Sequence, residues 1–274
     1  MARFETTVDS ARFERDGYLL LEDWFDPREA AELVRHATGL AERYQPGPAP
    51  TAFSTRTHAH ASNRYFLDSG NAVHYFLEEE ANTGDGAALN PGRPCLNKIG
   101  HALHRLDPCF CAFSTRPQVF ELCRSLGLSK PAPIQSMVIF KHPRIGGEVV
   151  CHQDATFLHT EPLSVIGLWF ALEPARRDNG CLWTIPGGHH AGLKRRFVRE
   201  GDQVRFVELD HTPWPMERGI PIEAEPGSLV VLHGLLPHWS ETNRSARSRM
   251  AFALHLIDED CAYSPDNWLQ PNSG

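Results

Sequence analysis

The chain has little that would tie it to nucleic acid, a membrane or an oxidising compartment. Its 27 Lys and Arg against 34 Asp and Glu leave a net charge of −7, so the basic stripe that a nucleic-acid partner needs is missing. No apolar run approaches transmembrane length. Met1 to Trp24 carries charges throughout, where a signal peptide would have a continuous apolar core. The last residues, Pro271-Asn272-Ser273-Gly274, form no peroxisomal address or lipidation signal. The seven cysteines (95, 109, 111, 123, 151, 181 and 261) are odd in number and form no C-x-x-C pair, and no His stands at zinc-finger spacing beside Cys109 and Cys111. They read as reduced small hydrophobes. Internal repeats, low-complexity tracts and interdomain linkers are also missing. The expectation is a soluble, cytoplasmic protein with no nucleic-acid or membrane partner. Its oligomeric state is left open.

What is there has two textures. With 274 residues, 41% of them hydrophobic and 22% charged, the chain can bury a sizeable core without staples. The first half is mixed. Tyr18 to Trp24 suits a short strand. Asp26-Pro27-Arg28-Glu29 opens a helix with an N-cap Asp, Pro in the first turn and Glu three after the cap. Ala30, Leu33, Val34, Ala37, Ala41 and Tyr44 give that helix an apolar stripe. Gln45 to Thr51, with three prolines, reads as a loop. Ile99 to Leu106 and Pro117 to Leu126 read as helices.

From Pro133 onward strands dominate: Ile134 to Lys141, Val149 to Asp154, Val165 to Leu172, Cys181 to Ile185, Ser228 to His233 and Arg249 to Ile257. Turns at Gly146-Gly147, Asn179-Gly180, Pro186-Gly187-Gly188 and Pro226-Gly227 separate them. Such a series suggests a jelly roll whose two sheets enclose a pocket. Leu193 to Ile222 has no clean period and reads as an insertion near the pocket mouth. The expected fold is mainly β: a double-stranded β-helix (jelly roll, cupin-like) with flanking N-terminal α-helices. It forms one domain over 1–274, with a helical jacket mostly in 1–130 and a core at about 133–260.

Chemistry concentrates in His152-Gln153-Asp154, His238 and Arg249. Strand alternation puts Val150, His152 and Asp154 on one face, and Val149, Cys151 and Gln153 on the other. An inward Asp is costly to bury without a metal or a hydrogen-bonded partner. A His–Asp pair that fixes a turn explains the short motif taken alone. His238, after Pro237, adds a third ligand. Two histidines and one carboxylate occupy one side of an octahedral Fe(II) and leave positions open for a co-substrate and O2.

Ser240 lies two residues beyond His238 and faces the same way. Arg249 begins an alternating run in which Met250, Phe252, Leu254 and Leu256 form a bulky packing face. Arg249, Ala251, Ala253 and His255 share the other, where small residues leave room for a ligand. An Arg aimed into a pocket wants an anion, and its planar fork suits a carboxylate. Arg244 and Arg247, just before it, read as surface residues. These residues point to a non-haem iron oxygenase that uses 2-oxoglutarate.

His152-Gln153-Asp154-Ala155-Thr156-Phe157, Asn179-Gly180-Cys181-Leu182-Trp183-Thr184-Ile185-Pro186-Gly187, and His238 with Arg249 eleven residues on resemble the phytanoyl-CoA dioxygenase family. So do Asn97-Lys98-Ile99-Gly100-His101-Ala102-Leu103, Gly146-Gly147-Glu148-Val149 and the stretch from Ser264 to Pro271. The likeness runs from about Tyr18 to Pro271. It implies a double-stranded β-helix, Fe(II), O2 and oxidative decarboxylation of 2-oxoglutarate to succinate and CO2, coupled to hydroxylation of a small molecule.

By the resemblance, His152, Asp154 and His238 match the iron ligands, and Arg249 and Ser240 match the partners of the distal carboxylate of 2-oxoglutarate. Lys98, Met137 and Trp169 match further 2-oxoglutarate contacts. From the residues themselves, Met137 and Trp169 read as core packing, and Lys98 as the solvated start of a helix. One departure is Gly188, where the family usually has Ser in Pro-Gly-Ser-His. Leu193 to Ile222 matches least well. Asp154 disfavours halogenation, because halogenases that resemble this family replace that carboxylate with Gly or Ala. A zinc hydrolase and a non-catalytic 2-oxoglutarate or small-acid sensor stay open as alternatives. The primary substrate is not legible, and no basic cluster stands ready for the phosphates of CoA.

Overall fold

A computed structural model of the protein describes residues 8–45, 51–53, 64–79 and 95–270. Most of the expected proline-rich loop (46–50) and the last four residues lie outside them. Strand β15 (Arg249–Asp258) lies at the centre of the fold. Its Met250, Phe252, Leu254 and Leu256 join Val138, Phe140, Leu168 and Phe170 in the largest apolar cluster. Its Ala251 and Ala253 face the other way, against Trp169, Leu182, Val230 and Leu232. Period two thus gives the strand one bulky face and one small one.

β15 pairs antiparallel with β5 (Pro131–Lys141) on one side and β8 (Ile166–Ala171) on the other. With β1 (Tyr18–Leu21), β2 (Ala52–Phe53), β3 (Val73–Glu78), β4 (Leu96–His101) and β13 (Leu229–His233) they form an eight-stranded sheet in the order β1-β13-β8-β15-β5-β4-β3-β2. A second sheet has the order β12-β9-β14-β6, from Ile220–Ile222, Leu182–Thr184, His238–Ser240 and Val149–His152 respectively. Leu182 and Ile222 of this sheet meet Trp169, Ala251 and Ala253 of the first, which closes the two into a jelly roll around a cavity. A short pair, β7 (Thr160–Glu161) with β16 (Ala262–Tyr263), lies outside both.

Helices cover the bulky face of the large sheet. In α2 (Pro27–Arg43), after α1 (Ser10–Asp16), the Asp26 side chain accepts the Arg28 N–H, and Ala30, Leu33 and Ala37 are buried. Glu29 is spent on an ion pair with Arg116. After α3 (Arg64–Asp68) and α4 (Leu103–Leu106) come α5 (Pro108–Ser114) and α6 (Pro117–Ser125). These bring Phe110, Phe113, Val119 and Leu122 to the same core. Each such aromatic or leucine contributes about 1.5–3 kcal/mol by leaving water.

Two expectations need correction. Ile99 to Leu106 is not one helix: β4 runs through His101, and only Leu103–Leu106 is helical. A Cβ at Gly100 would lie 3.1 Å from the Met137 Cβ, so the glycine lets β4 lie close against β5, and ladder pairing overrides the helical pattern. β1 to β4, from the same half of the chain as the helices, extend the main sheet. Leu193 to Ile222 is not irregular either. It contains an antiparallel hairpin of β10 (Arg195–Glu200) and β11 (Gln203–Glu208), turned at Gly201 with φ +63°, followed by β12. Phe197-Val198 and Phe206-Val207 put apolar residues on both faces of the hairpin, which hides the alternation.

Candidate active site

The cavity between the sheets collects most of the chemistry. β6 ends at His152, and Asp154 opens a single 3-10 turn, Asp154–Thr156. The two are therefore not on one continuous strand, as alternation alone suggested. Gln153 makes the junction rigid: its side-chain N–H groups donate to the Gly192 and Leu235 carbonyls at 2.7 Å, and its oxygen accepts the Lys194 N–H at 2.9 Å. The turn still brings Asp154 under His152. His238 opens β14 directly opposite His152 in the ladder, with ring centroids 4.3 Å apart.

His152, Asp154 and His238 each offer a ligand atom within 4.8 Å of the others. Asp154 Oδ1 lies 3.8 Å from His152 Nε2 and 3.6 Å from His238 Nε2. Both imidazoles are aimed by their other nitrogen. His152 Nδ1 contacts the Val150 carbonyl at 2.8 Å, and His238 Nδ1 contacts that of Leu236 at 3.0 Å. With Nδ1–H donating there, each Nε2 lone pair faces the gap, the tautomer a metal ligand needs. Burial, reinforced by His238, pushes His152 down to about 3, so its ring is neutral at physiological pH. Burial alone would raise the Asp154 carboxyl, but His255, His238 and His152 together hold it below the usual carboxylate range. Two imidazoles, that of His152 neutral, with one carboxylate suit a divalent cation.

His255 is the functional neighbour that sequence reading placed on the right face and left without a role. Its Nε2 lies 3.3 Å from Asp154 Oδ1, yet it stands outside the three-residue group. Its geometry is that of a donor orienting the carboxylate. Gly167, on the adjacent strand, has the complementary part. A Cβ there would sit 2.6 Å from Asp154 Oδ2, so only glycine leaves room for the carboxylate.

Arg249 is 1% exposed and donates from Nε to the Gly180 carbonyl at 3.0 Å. Its guanidinium carbon lies 5.4 Å from the Trp169 ring centroid. Burial pulls its pKa down to about 10, which still leaves it charged. Arg249 Nη1 and Ser240 Oγ are both buried and make no hydrogen bond among the described residues, and both residues line the cavity. An orphaned buried donor costs about 1–3 kcal/mol, so this pair fits a bound carboxylate. Asp154 Oδ2 is orphaned likewise.

Met137 and Trp169 line the cavity and also pack in its apolar wall. Lys98 lines it too, but from β4, not from a helix start, and it is buried. Its Nζ stands 3.2 Å from the Phe53 ring centroid, and burial lowers its pKa to about 7 despite the nearby Glu78 carboxylate. Gly188, the departure from the family pattern, also has a reason. A Cβ there would lie 2.6 Å from the Pro237 ring, so a serine would press on the residue that precedes His238. All seven cysteines are free. Among the described residues no helix is long and apolar enough to cross a membrane.

Residues 13–251 match the model of the phytanoyl-CoA dioxygenase (PhyH) family. The chain belongs to that family. Membership makes it an oxidoreductase. It is 44% identical over 259 residues to phytanoyl-CoA dioxygenase 1 of Oryza sativa subsp. japonica, covering 94% of this chain and 91% of the relative. It is 42% identical over 271 residues to phytanoyl-CoA dioxygenase domain-containing protein 1 of Mus musculus, covering 95% and 93%.

Solved structures share the fold. The epimerase SnoN, in complex with Fe3+, alpha ketoglutarate and nogalamycin RO, superposes with a TM-score of 0.66 at 17% identity, covering 97% of this chain and 90% of SnoN. EctD from S. alaskensis, with 2-oxoglutarate and 5-hydroxyectoine, gives 0.63 at 19% identity, covering 97% and 83%.

Proposed function

We propose that the chain is a single catalytic unit that binds Fe(II) through His152, Asp154 and His238. It uses 2-oxoglutarate and O2 to hydroxylate a small organic molecule, releasing succinate and CO2. Arg249 and Ser240 hold the distal carboxylate of 2-oxoglutarate, with Lys98, Met137 and Trp169 around its body. The observation that carries this reading is the buried, orphaned Arg249–Ser240 pair in the same cavity as the three ligands, a carboxylate seat beside a metal seat. When bound, the iron supplies the oxidising power. The protein aims two imidazoles through backbone carbonyls, seats the carboxylate between His255 and Gly167, and keeps water from the apolar wall. A zinc hydrolase needs no such seat, and family membership weighs against it. A sensor without turnover uses the same seats, so the experiment must read product. The test is succinate release in a metabolite extract by protein loaded with Fe(II) or with Zn(II). Succinate from the iron form alone supports the oxygenase. Equal or no release from both overturns it.

A further inference from the structure

The substrate side of the cavity is furnished by the β10–β11 hairpin. Its register pairs Arg195 with Glu208 and Phe197 with Phe206, so these four share one face. Arg195 and Phe197 line the cavity. An aromatic wall runs from the metal ligands to that cation. The His152 ring is 6.1 Å from Phe157, Phe157 is 5.5 Å from Phe197, and Phe197 is 4.9 Å from Phe206. The Arg195 guanidinium carbon lies 4.4 Å from the Phe206 centroid.

The other arginines of the hairpin have carboxylate partners: Arg196 has Asp266, Arg199 has Asp202 and Arg205 has Glu200. The Arg195 side chain makes no ion pair or hydrogen bond among the described residues, although Glu208 is its exposed cross-strand neighbour. A half-buried guanidinium over a ring at a cavity wall, with no ion-pair partner among the described residues, suits an anion.

We propose that Arg195 receives the carboxylate of the organic substrate, an acid with an apolar or aromatic body that lies along Phe157 and Phe197 and is oxidised at the end remote from that carboxylate. The site of oxidation rests on the oxygenase reading above. In that reaction a C–H at the remote end gains one oxygen atom of O2. The other atom leaves in succinate, as 2-oxoglutarate loses CO2. A free acid fits better than a CoA ester: the thioester carbonyl carries no charge for Arg195, and the CoA phosphates would need several cations where, among the described residues, this aromatic wall offers one.

The test is a binding measurement on protein loaded with Co(II) and saturating 2-oxoglutarate, so that Arg249 is already engaged. Tryptophan quenching, with Trp239 and Trp268 in the cavity lining, is titrated with phenylbutyrate and with phenylbutanol, which share a body and differ in charge. Wild type should bind phenylbutyrate about tenfold more tightly, the scale of one charge-assisted contact. Arg195→Gln should make the two probes equal by weakening phenylbutyrate alone, and Arg195→Lys should restore part of the difference. Equal or undetectable binding of both probes by wild type overturns the proposal, as does a preference that survives Arg195→Gln. A separate titration with 2-oxoglutarate reads the oxygenase proposal. If the Co(II) protein does not bind it, that reading fails while the comparison of the two probes still decides the role of Arg195.

Discussion

Arg249→Ala isolates the co-substrate seat from the metal seat. In the wild type, Nε is engaged with the Gly180 carbonyl, and Nη1 has no partner among the described residues. The side chain is 1% exposed, so a carboxylate bound there meets the guanidinium with little water to screen it. Removing one member of a buried, charge-assisted contact costs about 2–5 kcal/mol. At about 1.4 kcal/mol per tenfold, the 2-oxoglutarate concentration for half-maximal binding should rise at least tenfold, and by as much as about a thousandfold. Metal affinity should change little, because Arg249 touches none of the three ligands. Stability of the ligand-free protein should fall only slightly: Gly180 loses a donor, but an uncompensated buried cation is removed. Calorimetric titration of 2-oxoglutarate and of Fe(II), each against wild type and variant, separates these effects. Arg247→Ala is the control, since its guanidinium is 64% exposed and only 3.9 Å from Asp178. The reasoning is refuted if Arg249→Ala leaves 2-oxoglutarate binding unchanged, or if Arg247→Ala does the damage instead.

Asp154→Ala should weaken Fe(II) binding by more than the roughly 10–100-fold typical of losing an outer-sphere partner, with the fold retained by circular dichroism. Wild-type affinity in the variant would remove Asp154 from the ligand set. His255→Ala should weaken Fe(II) binding by about tenfold through the misplaced carboxylate and leave the phenylbutyrate preference untouched. Gly167→Ala should mimic the metal loss of Asp154→Ala, because the new methyl occupies the position beside Asp154 Oδ2; normal iron affinity there would show that the carboxylate has other room. Lys98 has a folded pKa of about 7 against an ordinary 10.5. The unfolded chain therefore binds more protons between those values, and stability should rise as pH climbs from about 7 toward 10. Denaturant melts of Lys98→Met should show that rise flattened, and an unchanged pH slope would mean that Lys98 stays charged in the fold.

The strands of the jelly roll were legible in sequence because alternation is a short-range rule, and the candidate ligands because His-x-Asp, a long gap, His and then Arg form a recognisable order. β15 alternates cleanly, and that alone placed Arg249, Ala251, Ala253 and His255 on the cavity face. What was missed depends on tertiary pairing. Lys98 sits in a stretch with helical spacing, but the close approach of β4 to β5 at Gly100 makes it a strand and buries the amine. Asp154 was expected to continue a strand, whereas the three bonds of Gln153 turn the chain and deliver the carboxylate from a 3-10 turn. The β10–β11 hairpin carries apolar residues on both faces, at Phe197-Val198 and Phe206-Val207, which masks its alternation. Hence Arg195 drew no notice in sequence, and its place at the cavity follows from its cross-strand register with Phe197 and Phe206. His255 could have been found from the alternation already in hand, had a buried His beside two small residues prompted the question of what it bonds.

The central claim is that His152, Asp154 and His238 would hold Fe(II), which would supply the oxidising power, beside a 2-oxoglutarate seated on Arg249. Supplying isotopically heavy O2 to the Fe(II) protein with 2-oxoglutarate, and weighing the succinate by mass spectrometry, tests it most directly. The account predicts one heavy oxygen in each new succinate, lost in Asp154→Ala. Succinate without label, or labelled succinate undiminished in Asp154→Ala, contradicts it.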